Sequence, residues 1–106
     1  GTYSGNGNAD GTFVYTGFKP AFIMCKRTDS SSFGNWRIID NARSGYNPAD
    51  KSLLPNSTSA QETGSSDEVD LLSNGFKLRN SQNWNSSGTY LFLAMAHNPF
   101  KYATAR

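Results

Sequence analysis

The sequence predicts an all-β protein: a compact antiparallel β-sandwich, jelly-roll-like, with long ordered loops. Three observations predict it. Six or seven short apolar or aromatic runs are separated by turn residues every eight to twelve positions, two of those runs are apolar on both alternating sets, and hardly any stretch carries helical periodicity. The chain of 106 residues and 11.6 kDa is long enough for one core and too short for two, so residues 1–106 are read as a single domain. It begins at Gly1 rather than Met and is read as the C-terminal part of something longer, with residues 98–106 as a tail.

The runs justify themselves in order. In GTFVYTG (Gly11 to Gly17), Phe13, Val14 and Tyr15 lie between glycines, as a short strand ended by turn chemistry does. Pro20 cannot donate to a ladder and marks the start of the next strand, AFIMCKR. Here Phe22 and Met24 alternate with Ala21, Ile23 and Cys25, so both sides are apolar and the strand is expected at the dry centre of the sandwich. NWRIID (Asn35 to Asp40) is a third strand. From Asn41 to Ser66 the chain is rich in Ser, Asn, Pro and Gly; Tyr46, Leu53, Leu54 and Pro55 supply docking points, which predicts ordered loops with one or two very short strands. In EVDLLSNGFKLR (Glu68 to Arg79), two apolar stretches flank Asn74-Gly75, the signature of a two-residue hairpin turn. TYLFLAMAH (Thr89 to His97) contains good helix formers, but its aromatic and β-branched start, the preceding Gly88 and the lack of a capping box favour a second central strand.

Composition narrows the chemistry. Only 36% of residues are hydrophobic and 17% charged, while Ser and Asn make up about a quarter, so the surface is neutral and hydrogen-bonding and much of the buried area falls to aromatics. A net charge of +2, with Lys26-Arg27 the only adjacent cations, argues against nucleic acid. One cysteine and one histidine leave no Cys/His set for zinc; Cys25, inside an apolar run, reads as a small buried hydrophobe. No run is long enough for a helical membrane span, and no cofactor motif is present.

Catalytic residues are not assigned. His97 stands at a strand end without a recognisable partner, and Asp67, Glu68 and Asp70 lack the spacing of a calcium loop, which favours a solvated strand edge. In NWRIIDNAR, an Asp40–Arg43 ion pair closing a loop takes precedence over ligand contact by Arg43. Trp84, between Asn83 and Asn85 in a loop with no other apolar residue, either folds back as a lid on the sandwich or stands exposed to stack on a ligand with the amides beside it. The candidate ligand-binding set is Trp84, Asn83, Asn85, Tyr46 and Arg43.

The combination of GF-x-P-x-F (Gly17 to Phe22), NWRIIDNAR, SNGF-x-L (Ser73 to Leu78) and a closing strand followed by PFKY and AR resembles a domain found near the C-termini of tailed-phage virion proteins of the tail-fibre, receptor-binding type. The resemblance covers essentially the whole chain and departs at His97, where relatives commonly carry an acidic residue. It implies a non-enzymatic virion module on the particle surface, a tail-fibre or spike tip contacting a host-cell glycan or protein, assembled as a homotrimer with other virion subunits. Phe100 and Tyr102, apolar after the fold is complete, are then expected to dock against a neighbouring subunit. A purely structural capsid or tail decoration is the alternative, and a carbohydrate-binding domain of a secreted protein the third.

Overall fold

The computed structural model describes residues 1–31, 34–43, 46–64 and 67–96. Among them nine strands succeed one another: β1 (Thr2–Gly5), β2 (Phe13–Tyr15), β3 (Pro20–Arg27), β4 (Arg37–Asp40), β5 (Lys51–Ser52), β6 (Glu62–Thr63), β7 (Val69–Leu72), β8 (Gly75–Leu78) and β9 (Gly88–Ala96). They form a four-stranded antiparallel sheet in the order β1-β9-β3-β4, a three-stranded one in the order β2-β8-β7, and a β5-β6 ribbon. The β-sandwich read from the sequence is the fold observed.

The two long strands adjoin, with Ile23 opposite Ala94 and Cys25 opposite Phe92, so TYLFLAMA is a strand and not a helix. Alternation sends Ile23 and Cys25 of β3, Tyr90 of β9, Tyr3 of β1 and Ile39 of β4 inward. They meet Val14, Val69, Leu71, Phe76 and Leu78 from the other sheet in one core. Aromatics carry much of it, as composition requires: Tyr3 stacks on Tyr90 with ring centroids 5.0 Å apart, and Phe76 meets Tyr3 and Phe92 edge-on. Cys25 is buried among them, and the Tyr3 hydroxyl lies 3.6 Å from its sulfur.

Two glycines have steric reasons. Gly17, in the turn between β2 and β3, has φ +83°, a left-handed conformation that side chains resist. Gly75 abuts β2 so closely that a Cβ would run into the Val14 carbonyl oxygen. That contact also corrects the expected hairpin: Leu72 pairs with Gly75, so Ser73-Asn74 is the two-residue turn and Gly75 is already in strand.

The connector between β4 and β7 closes sheet edges. Leu53 bridges to Ile38 and Ala49 to Val69. The Asn47 side-chain amide donates to the Leu71 carbonyl at 3.0 Å and accepts from the Leu71 N–H at 2.9 Å, doing for β7 what a neighbouring strand would do.

Arg37 points into the sandwich. Its guanidinium Nη1 donates to Asp67 at 3.0 Å and Glu62 at 2.7 Å; Arg37 is 5% and Asp67 3% exposed. Asp67 is therefore not part of a solvated edge, as its neighbourhood in sequence suggested, but a buried tie between β4 and the segment leading into β7.

Candidate interaction surface

The structure disperses the ligand-binding set expected from sequence. Trp84 is fully buried and belongs to the core, so the lid reading holds and the exposed, stacking one is overturned. The burial follows from local bonding: Asn80 Oδ1 accepts from the Trp84 and Gln82 amides, and the Tyr3 hydroxyl donates to the Trp84 carbonyl at 2.8 Å. Together these turn the indole inward.

Asn85 is equally buried and cannot reach a ligand. Its amide nitrogen donates to Asn6 Oδ1 at 2.6 Å, the Asn8 carbonyl at 2.8 Å and the Asn80 carbonyl at 3.0 Å, and its oxygen accepts from the Asn6 N–H at 3.0 Å. Asn85 thus fastens the loop before β2 to the loop before β9. Asn83 is half-buried and donates to Asp67 at 2.9 Å. Arg43 closes its loop on Asp40 at 2.9 Å, as the ion-pair reading required, and also reaches Gln61 and the Ile38 carbonyl. Tyr46 alone of the set stands free, 92% exposed. His97, Phe100 and Tyr102 lie outside the described residues.

A different feature emerges on the outer side of the four-stranded sheet. Period-two alternation that buries Tyr90 sends Leu91, Leu93 and Met95 outward, where they are 42%, 45% and 52% exposed. Register aligns them with the outward residues of β3: Leu93 lies opposite Met24 and Met95 opposite Phe22. Across β3, Met24 faces Ile38. The expectation that β3 and β9 are dry on both sides is therefore corrected: one side forms the core and the other faces solvent.

The edge of this apolar face is shaped by the connector. Met24, Trp36, Pro55 and Asn56 line a shallow hollow of about 250 Å³. Asn56 holds the rim by accepting from the Trp36 N–H at 3.2 Å and donating to Asn35 at 3.2 Å. Lys26, on the same side of β3, turns its ammonium to the Gly34 carbonyl at 2.6 Å, and Asp40 is satisfied by Arg43 and two backbone amides. The centre of the face thus offers dispersion and hydrophobic contact, with no ionic group of the described residues projecting from it.

Neither this hollow nor one of about 310 Å³ beside Tyr15, Phe18 and Phe92 is lined by histidine, cysteine or carboxylate. Among the described residues, no group of three His, Cys, Asp or Glu could hold a metal ion. Sequence reasoning missed the face because an apolar outer row reads like a buried one; Lys26 and Asp40 at its ends were the available signal.

A family model described as a domain of unknown function, DUF7483, matches residues 1–99, and the chain belongs to that family. No curated protein and no solved structure matches it.

Proposed function

We propose that this DUF7483 domain is a non-enzymatic structural module of a tailed-phage virion that uses the outer face of its four-stranded sheet for protein contact in assembly. One observation carries the reading: Leu93 and Met95, in register with Met24 and Phe22, and Leu91 opposite Lys26 expose a contiguous apolar surface. Such patches on a small domain serve protein contact. The sequence resemblance to virion proteins supports the setting, and the burial of Trp84 and Asn85 moves weight from a glycan-binding tip toward assembly. Surface location on the particle is part of the same reading.

The test is composition of the particle. Mass spectrometry of gradient-purified virions is expected to find the chain at stoichiometric level, and Leu93→Glu is expected to leave it in the soluble lysate. A wild-type chain absent from particles overturns the proposal.

A second reading, attachment to a host-cell glycan or protein, is favoured by Tyr46 and by the exposed Ser/Asn stretch from Pro55 to Gln61. Fluorescent domain should then stain host cells, and Tyr46→Ala should abolish the staining; equal staining by the variant sinks that reading.

A further inference from the structure

We infer that the apolar outer face of the four-stranded sheet is covered by a second copy of this chain, packed sheet to sheet about a two-fold axis. The inference rests on the reading of this face as a protein-docking surface and names its occupant.

Area supports a pair of this kind. Nine side chains form the surface: Leu91, Leu93 and Met95, Phe22 and Met24, and Ile38 with Trp36, Leu53 and Pro55. At roughly 32 Å² of sheet plane apiece, doubled for side chains that stand off the plane, they offer on the order of 600 Å² per copy. Two copies would remove on the order of 1,200 Å² from water, the lower bound for a specific protein interface.

Shape and polarity point the same way. A face about four strands wide is wider than the roughly 10 Å strip that one helix covers, whereas a second sheet matches it at the usual separation of about 10 Å. The occupant must also be uncharged at its centre, since Lys26 and Asp40 already have partners and a charge buried against Leu93 would have none. The same face on another copy meets both requirements. The hollow beside Trp36 gives each copy a socket for one protruding side chain of the other. Burying the same patch on both partners closes the assembly at two, in place of the homotrimer expected from sequence.

Sedimentation of the 106-residue chain over a micromolar concentration range tests this. The expected mass rises from 11.6 kDa toward about twice that value. Leu93→Glu is expected to remain monomeric throughout, Met95→Lys to weaken pairing at least about tenfold, and Tyr46→Ser, which lies off the face, to pair normally. Circular dichroism melts identify any variant lost to misfolding, and Met95→Lys keeps the test alive if Leu93→Glu fails to fold. A wild-type chain monomeric at all concentrations overturns the inference, as does an assembly that survives both face substitutions or a trimer. If the wild type is monomeric but Leu93→Glu still fails to enter particles, the second copy is wrong and the virion reading stands. If both variants dissolve the pair yet enter particles normally, the pairing stands and seating in the particle through this face fails; a wild-type chain that pairs but is absent from particles leaves the pairing standing and overturns the virion reading.

Discussion

Replacing Asn85 by Asp exchanges one NH₂ group for one oxygen and leaves the volume almost unchanged, so it isolates what the amide donors do. In the native chain that nitrogen faces three acceptors, Asn6 Oδ1 and the carbonyls of Asn8 and Asn80, and Asn85 itself is fully buried. The NH₂ group has two hydrogens to share among those acceptors, so truncation to Ala removes two donated bonds and the one received from the Asn6 N–H; at about 1 kcal/mol each, the cost is about 3 kcal/mol. The isosteric Asp is worse, because at neutral pH a carboxylate is buried against carbonyl oxygens, and about 4 kcal/mol or more is expected from a total of roughly 5–15. Its carboxyl would titrate above the ordinary range in the folded state, so the excess over Asn85→Ala should shrink as pH falls through that raised value and level off below the unfolded value of about 3.9. Urea unfolding followed by tryptophan fluorescence, with each variant referred to wild type at the same pH, measures this. Asn85→Asp within about 0.5 kcal/mol of wild type at pH 7 would refute the role given to the amide donors.

Three further outcomes are expected. Burial pushes the Cys25 thiol up to about 12, outweighing the Tyr3 hydroxyl and Arg37, which both lower it; the native chain should be inert to thiol reagents at pH 8 and release one reactive thiol in denaturant, and rapid native labelling would contradict this. Asp67→Ala should cost about 2 kcal/mol by leaving the buried Arg37 guanidinium with Glu62 alone and taking the acceptor from Asn83, whereas Asp67→Leu combined with Arg37→Met should cost less; a double variant worse than the single one would show that the pair is not the source of the loss. Asp40 is pushed up by burial, but the Arg43 amide, the Arg43 guanidinium and the Ala42 amide outweigh that and hold its carboxyl below the usual value. Its stabilisation is thus present above about pH 4 and lost as pH falls through the depressed folded value, so the penalty for Asp40→Asn should vanish toward pH 2; an undiminished penalty there would reject the assignment.

The strands were legible where local pattern and burial agree. Pro20 opened β3, the aromatic and β-branched start of β9 outweighed its helix formers, and the short Phe13–Tyr15 run sat where glycines bounded it. The hairpin was legible as a hairpin but displaced by one residue, because Gly75 serves close approach to Val14 rather than turn conformation, and a sequence does not distinguish those uses. β1 carries one inward aromatic, Tyr3, among Thr, Ser and Gly, so its pairing with β9 is set by tertiary contact alone. The site was harder to read. Trp84 and Asn85 look like an exposed binding pair in a polar loop, yet their partners Tyr3, Asn6 and Asn8 lie about eighty positions away. Leu93 and Met95 look like core, and only the sheet order reveals that nothing within the described residues pairs over them.

The way the loops on either side of β1 and β2 are joined bears on where such a domain can work. Asn6, Asn80 and Asn85 lock that end with neutral amides and backbone groups, which neither titrate nor attract counter-ions. That anchorage is therefore set independently of salinity and acidity, and it should hold from dilute buffer to brine while the exposed Asp10–Lys77 pair on the same loop loosens.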